Sequence, residues 1–206
     1  MSLPATPRVY LASRSPRRRE LLTQIGVEFD SLIFRAPPRE DADVCEDVLP
    51  GEPAEAYVQR VALAKAAGGL ARLRWRSLHY QPVLSADTTL ELDGEIIGKP
   101  EDAAHAREIL RKLSGRSHRV LTAVALADDT RCAQRLSIST VSFRELDARD
   151  IDHYIASGEC FDKAGAYAIQ GRAATFVREI HGSYTGIVGL PLFETAEMLT
   201  AFGLRP

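Results

Sequence analysis

Serine and arginine side chains crowd the point where a short apolar segment passes into a helix-like segment near the start of the chain. Ser13, Arg14 and Ser15 come directly before that segment, and Arg17 and Arg18 lie in its first turn. Backbone N–H groups at a helix N-terminus lack intrahelical partners, and the helix dipole adds positive potential there. Serine hydroxyls donate to phosphate oxygens, and guanidinium groups form paired hydrogen bonds with them. The segment therefore predicts a phosphate-binding loop.

The same residues also fit a capped surface helix whose arginines are only solvated. Cations near a helix N-terminus oppose the dipole, at a cost of about 0.3–1 kcal/mol each at exposed sites. The three arginines at 17–19 are better explained when an anion lies among them. A nucleic-acid patch is disfavoured, because the basic run is short and the apolar Leu21 and Leu22 follow directly.

One carboxylate, Asp87, follows a short apolar run and precedes Thr88 and Thr89. We predict a strand over residues 82–86 that delivers Asp87 at its end, where a rigidly held carboxylate can bind a metal ion or accept a proton from water. Lys99 lies beyond a predicted hairpin and can reach back to the same cleft as a phosphate partner. A simple turn-capping role for Asp87 is the alternative.

A metal site can be completed by Glu40 and Asp41, two carboxylates of an acidic, proline-rich loop predicted over residues 34–53. The alternative is that both are merely solvated. Magnesium prefers a few carboxylates together with substrate phosphate oxygens, so this set suits it. The five histidines form neither an HxxxH nor an HExxH pattern, which argues against a zinc hydrolase.

The segment at 162–171, which includes Lys163, is rich in small residues that allow a ligand to approach the backbone closely. Gln170 carries an amide donor and an acceptor, which can recognise the edge of a base. A tight structural turn is the alternative reading of this segment. It is therefore a candidate wall of a nucleotide site.

The whole chain is that of an ordinary globular protein: 206 residues, 45% hydrophobic, with a net charge of −2. We predict one domain over residues 1–206, with two lobes as an alternative to one compact body. The charge balance favours neither nucleic acid nor an anionic membrane as a partner. The three widely spaced cysteines and the absence of a leader-like apolar run indicate a cytoplasmic protein.

The elements that must position these residues are predicted from periodicity and end signals. A strand over 8–12 precedes a helix over 16–25, which Ser15 caps, Pro16 starts and Gly26 ends. Asp93 and Gly94 suit the tight turn of a hairpin over 90–97. Further helices are predicted over 54–72, 100–113, 147–157 and 191–202, further strands over 118–127, 134–146 and 175–180, and a glycine-rich loop over 182–191.

Taken together, several segments in consistent order and spacing resemble the Maf family of nucleotide pyrophosphatases. These segments are LASRSPRRRELL, YVQRVALAKA, SADTTLELDGEIIGKP, LSGRSHRVLTAVAL, DKAGAYAIQG and GSYTGIVGLPL. The resemblance implies an α/β fold like that of the inosine triphosphate pyrophosphatases, with an elongated mixed β-sheet flanked by helices and a cleft between two lobes. It also implies hydrolysis between the α- and β-phosphates of a nucleoside triphosphate, a divalent metal ion (Mg²⁺ or Mn²⁺) and a homodimer.

Roles follow from the resemblance position by position. Asp87 is the expected proton acceptor and metal ligand, with Lys99 as its catalytic companion and Glu40 as the second metal ligand. The substrate-binding set implied is Ser13, Arg14, Ser15, Arg17, Arg60, Lys65, Thr88, Lys163 and Gln170. Within that set, Arg17, Thr88 and Gln170 select the base, and the 162–171 segment resembles the subgroup acting on dTTP and UTP rather than on 7-methyl-GTP.

Two other functions remain open on the sequence. A non-catalytic nucleotide-binding regulator of septum formation would keep the binding loop without turnover, although Asp87, Lys99 and the serine–arginine loop are all present. A pyrophosphatase for modified pyrimidine nucleotides would share the chemistry and differ only in the base. A link to arrest of cell division is compatible with each of them.

Overall fold

A seven-stranded mixed sheet organises the protein, as a computed structural model shows for residues 8–33 and 44–204. The strands are β1 (Arg8–Leu11), β2 (Glu28–Ser31), β3 (Val83–Leu92), β4 (Glu95–Ile97), β5 (Ser117–Ala127), β6 (Cys132–Phe143) and β7 (Val177–His181). Their order is β2-β1-β3-β5-β6-β7, and β4 pairs with β3. The pairs β1–β2 and β1–β3 are parallel and the others antiparallel, which confirms the predicted α/β class with a mixed sheet.

Six helices flank this sheet in the part of the chain that the structure describes. They are α1 (Pro16–Gln24), α2 (Ala54–Trp75), α3 (Ala103–Leu113), α4 (Ala148–Ala156), α5 (Tyr184–Val188) and α6 (Leu192–Ala201). Two short 3₁₀ turns, at Ala164–Ala166 and Arg172–Thr175, lie between α4 and β7. None of the described helices is both long and apolar enough to cross a membrane.

Several predicted boundaries are wrong. Strand β3 does not end before Asp87 but continues to Leu92, so Asp87 lies mid-strand. Helix α5 replaces part of the predicted glycine-rich loop, because Ser183 caps it by accepting from the Gly186 N–H. Strand β2 was not predicted at all. Helix α3 begins at 103 rather than 100, because Asp102 is its N-cap, and β6 ends at 143 rather than 146.

Two hydrophobic cores meet along β3 and leave a polar gap between them. Leu84 and Ala86 pack with α1 and α6 in one core, whereas Leu90 and Leu92 pack with α3 and α4 in the other. Side chains alternate along a strand, so Thr88 lies on the same face, between the two apolar pairs. This gap lies where a cleft of the kind implied by the family resemblance would run, and we refer to it below as the cleft.

The edge of β3 is also interrupted at the same place. Strand β1 pairs with Val83 and Leu84, and β4 pairs with β3 only from Leu90 onward. Between these two pairings, no described strand covers residues 85–89 on that edge. The end of β1 and the loop that follows it therefore open directly onto the segment that carries Asp87 and Thr88.

One buried histidine makes the stability of the fold depend on pH. His118 of β5 is 2% exposed, its Nε2 lies 2.8 Å from the Tyr167 hydroxyl, and its Nδ1 has no partner among the described residues. Burial lowers the pKa of His118 to about 4. Because this value is below the usual one near 6.5, the unfolded chain takes up the proton first, and stability falls as the pH drops through that window.

We therefore expect His118 to contribute a loss of about 2 kcal/mol in unfolding free energy between about pH 7.5 and pH 5. Urea unfolding at both pH values measures this for the wild type and for His118→Gln, in which the loss should be smaller by that amount. His153→Gln removes an exposed histidine and should keep the wild-type difference. Equal pH differences in the wild type and His118→Gln would contradict the assignment.

Candidate active site

The start of helix α1, which carries the predicted phosphate loop, forms as the sequence indicates, and phosphate binding by the loop stays a prediction. Ser15 caps α1 by accepting from the Arg18 N–H over 3.4 Å, and Pro16 is the first helical residue. Ser13 Oγ accepts from the Ser15 N–H at 3.1 Å and from Arg18 Nη1 at 3.3 Å. Because both hydroxyl oxygens only accept in these bonds, their protons stay available to donate to a phosphate. Arg14 lies on this loop with its side chain exposed.

Arg17 of helix α1 lies within electrostatic range of Asp162 and Lys163 in the 162–171 segment. Burial lowers the pKa of Arg17, while the negative charges of Glu20 and Asp162 oppose that shift. Burial likewise lowers the pKa of Lys163, and the nearby charge of Arg17 lowers it further. Two cations that disfavour each other at close range are stabilised when an anion lies between them. The structure thus brings together two residues that the sequence places 146 positions apart.

Asp87 lies at the centre of a second charged group, on the face of β3 that is packed against α2. Its Oδ1 accepts from Lys65 Nζ at 2.8 Å, and the same ammonium donates to Glu46 Oε2 at 2.9 Å. Asp87 is only 7% exposed, whereas more than half of the Glu46 side chain is open to solvent. Both carboxylates therefore reach one small volume, with Glu46 on its solvent side.

The loop that carries Glu46 is clamped onto α2. Arg60 forms an ion pair with Glu52 at 2.6 Å and donates to the carbonyl oxygens of Cys45 and Asp47. The Tyr57 hydroxyl donates to the Glu46 carbonyl at 3.0 Å. Burial, with the charges of Asp87 and Glu46, raises the pKa of Tyr57 to about 12, which keeps it a donor. The hydrogen bonds of Arg60 thus hold this loop in place. The role of Arg60 near the phosphates stays a prediction.

Glu46 is the site residue that sequence reasoning missed. The predicted second carboxylate, Glu40, lies outside the described residues, as does Asp41. The loop is rich in acidic residues, and no local pattern separates Glu46 from its neighbours. The signal that does so is non-local, because Arg60 and Tyr57 hold the backbone on both sides of Glu46.

Arg18 joins the two sides of the site. In addition to Ser13, its guanidinium donates through Nε to the Gly189 carbonyl at 2.7 Å and through Nη2 to Thr88 Oγ1 at 3.2 Å. Burial lowers the pKa of Arg18, and the charges of Asp87 and Glu46 counteract that effect. The sequence indicated Arg18 as one of several possible phosphate ligands. In the structure it ties α1 to β3 and to the segment after α5.

The far wall of the cleft is the 162–171 segment, and its backbone is unusual. Asp162, Gly165 and Ala166 all have positive φ angles. The Gly165 N–H donates to the Gly98 carbonyl at 3.0 Å, so the turn holds the backbone next to Lys99. Lys99 and Gln170 are exposed, and neither forms a side-chain hydrogen bond within the described part of the chain. Both are thus available to a ligand.

Gly165→Ala, in the far wall of the cleft, should lower the free energy of unfolding. A Cβ at Gly165, where φ is +73°, would lie 2.3 Å from Leu90 Cδ1, whereas a Cβ at Gly158, where φ is +76°, meets nothing within 4 Å. Gly158→Ala therefore isolates the backbone strain, about 1 kcal/mol, and Gly165→Ala adds overpacking of about 2 kcal/mol. Urea unfolding of the two variants measures the difference, and equal losses would contradict the predicted clash.

The carboxylates present fit a magnesium-type ion. Among the described residues, no group of three or more His, Cys, Asp and Glu side chains converges. Asp87 and Glu46 do converge, because both accept from Lys65 Nζ. Mg²⁺ is commonly held by one or two carboxylates with phosphate oxygens and waters completing the shell. The donor set therefore suits a metal ion shared between the protein and a phosphorylated substrate.

A strand-to-helix turn with hydroxyl donors, next to a carboxylate pair, is an arrangement suited to phosphorylated ligands. The chain belongs to the Maf family, since the family described as Maf-like protein matches residues 8–202. A dTTP/UTP pyrophosphatase from Aromatoleum aromaticum is 65% identical over 97% of this chain and 98% of its own length. Proteins of the same description from Dechloromonas aromatica and Nitrosomonas europaea are 58% and 52% identical, over 97% and 99% of this chain and 99% of each relative.

Proposed function

We propose that this protein hydrolyses dTTP and UTP to the nucleoside monophosphate and pyrophosphate. The relatives that share more than half of its residues carry that description. The observation that carries the proposal is the convergence of Asp87 and Glu46 on Lys65, next to a helix N-terminus with free hydroxyl donors. This arrangement offers a proton acceptor, a metal site and a triphosphate cradle within one cleft.

Asp87 accepts the proton of the water that attacks the α-phosphorus, and the bond to the β-phosphate breaks as the new P–O bond forms. Lys65 holds the Asp87 carboxylate in place through its 2.8 Å bond. The hydroxyls of Ser13 and Ser15 and the α1 N-terminus bind phosphate oxygens, and Arg14 and Lys99 offset the charge on the leaving pyrophosphate. When bound by Asp87 and Glu46, Mg²⁺ or Mn²⁺ supplies further positive charge to the triphosphate.

Selection of the base falls to Arg17, Thr88 and Gln170. Uracil and thymine present N3–H, a donor, and O4, an acceptor, along one edge. The side-chain nitrogen of Gln170 can donate to O4, which leaves N3–H for a second acceptor in the cleft. Gln170 is exposed on the far wall, and Thr88 lies in the gap between the two cores, so the base would lie between these two residues.

Pyrophosphate release from a panel of nucleoside triphosphates, with Mg²⁺ or Mn²⁺ and with chelator, tests the proposal. Metal-dependent release that is strongest with dTTP and UTP is the expected result. Release that is strongest with a purine triphosphate would support the reaction but overturn the assignment to the subgroup that acts on dTTP and UTP. If no triphosphate released pyrophosphate while dTTP still bound, the protein would be a nucleotide-binding regulator instead.

The setting we propose is a homodimer in the cytoplasm. All three cysteines are free, and Cys45 and Cys132 are exposed, which suits a reducing compartment. The homodimer follows from the family resemblance alone. Light scattering of the purified protein tests it, and a monomeric mass at micromolar concentration would overturn it.

A further inference from the structure

Four groups from different elements form a chain of hydrogen bonds behind Thr88. Arg18 Nη2 donates to Thr88 Oγ1 at 3.2 Å, and Thr88 Oγ1 lies 2.9 Å from Thr122 Oγ1 on β5. Thr122 Oγ1 in turn lies 2.7 Å from the Gly186 carbonyl of α5, to which it donates. Thr122 is 1% exposed, whereas Thr88 is partly exposed, so the chain leads from the interior to the cleft.

The direction of every proton in this chain is determined by its two ends. A carbonyl oxygen can only accept, so the single hydroxyl proton of Thr122 lies on its bond to Gly186. The contact between the two threonines must then carry the proton of Thr88. A guanidinium group has no acceptor, so the bond from Arg18 occupies one lone pair of Thr88 Oγ1. Thr88 Oγ1 therefore retains one lone pair and no proton for any further partner.

We propose that Thr122 is a positioning residue for base selection, which makes Thr88 an acceptor toward the substrate. Thr88 then accepts from the N3–H of uracil and thymine, whereas N3 of cytosine, itself an acceptor, meets a lone pair. A wrong substrate that leaves a buried polar group of the site unpaired is strongly rejected. This inference rests on the proposed function and explains how it excludes cytidine triphosphates.

Thr122→Val tests the proposal, because valine has nearly the same shape but cannot accept the Thr88 proton. That proton becomes free to point to N3 of cytosine. We expect the ratio of kcat/KM for UTP to that for CTP to fall about tenfold, mainly through a lower KM for CTP. Both substrates are measured on the same sample, so partial unfolding of the variant cancels from the ratio.

Two further variants separate the hydroxyl from general packing. Thr122→Ser keeps the hydroxyl and should keep the wild-type ratio. Ser142→Ala removes the partner from another pair of hydroxyls on β5 and β6, in which Ser117 Oγ lies 2.8 Å from Ser142 Oγ, and should also leave the ratio unchanged.

A wild-type ratio in Thr122→Val, or a lowered ratio in Thr122→Ser, would overturn the role of Thr122. Failure of the proposed function is a distinct result, since it appears in the wild type as no release from dTTP or UTP. Calorimetric affinities for UTP and CTP then replace turnover in the same comparison of variants. An affinity ratio that is unchanged in Thr122→Val would again overturn the proposal.

Discussion

Asp87→Asn is expected to lower kcat for pyrophosphate release from dTTP by about 10³, with KM within about threefold of the wild-type value. The asparagine oxygen can still accept from Lys65 Nζ, as Asp87 Oδ1 does at 2.8 Å, so the local structure should be retained. An amide oxygen, however, cannot take up the proton of the attacking water, and it is a weaker ligand for a divalent cation. The loss should therefore fall on the chemical step.

Glu91→Gln is the matched control for this substitution. Glu91 lies on the same strand and the same face, is 8% exposed, and accepts from Arg119 and from the Gly94 N–H. Its loss should lower stability but leave kcat near the wild-type value. A titration with Mn²⁺ separates the two roles of Asp87, because recovery of Asp87→Asn at high metal concentration would restrict Asp87 to metal binding. A variant with near-wild-type kcat at ordinary metal concentration would exclude both roles.

The parts of the fold with strong local signals could be predicted from the sequence. Ser15, Pro16 and Gly26 mark the ends of α1, and Asp93 and Gly94 mark the β3–β4 turn with two positive φ angles. These residue types predict the ends of elements well, because each satisfies a backbone requirement within a few positions of itself. Elements that depend on such signals lie within a few residues of their predicted bounds.

Strand β3 shows why a functional site disturbs such predictions. Polar residues at 87–89 interrupt the apolar pattern, which indicates the end of a strand. In the structure, the strand continues because β5 pairs with it from Val83 to Glu91. Thr88 marks the gap between the two cores and Asp87 faces α2, so neither residue marks a strand end. The break in the apolar pattern therefore reflects the cleft and not the secondary structure.

The charged contacts of the site could not be predicted, because they join distant parts of the chain. Arg18 and Gly189 are 171 positions apart, and Arg18 and Thr88 are 70 apart. Sequence alone presented Arg18 as one cation in a basic run. Only the folded sheet brings α1, β3 and the segment after α5 to one guanidinium, and this is why the sequence assigns Arg18 no definite role.

Arg18→Lys should lower both stability and activity for that reason. A guanidinium donates in three directions in one plane, here to Ser13, Thr88 and Gly189, whereas an ammonium on a flexible stem cannot meet all three. Loss of two of these bonds in a buried setting costs about 3 kcal/mol, or roughly 6–12 °C in Tm. Displacement of the phosphate loop from β3 should lower kcat/KM for dTTP about 100-fold.

Arg19→Lys provides the control, since the neighbouring arginine is exposed and none of the side-chain bonds found in the structure depends on it. Differential scanning calorimetry and steady-state kinetics on the two variants should show losses only in Arg18→Lys. If Arg18→Lys kept the wild-type Tm but lost activity, Arg18 would be a direct phosphate ligand rather than a link between elements. If it lost Tm but kept kcat/KM, the phosphate loop would hold its position without this link.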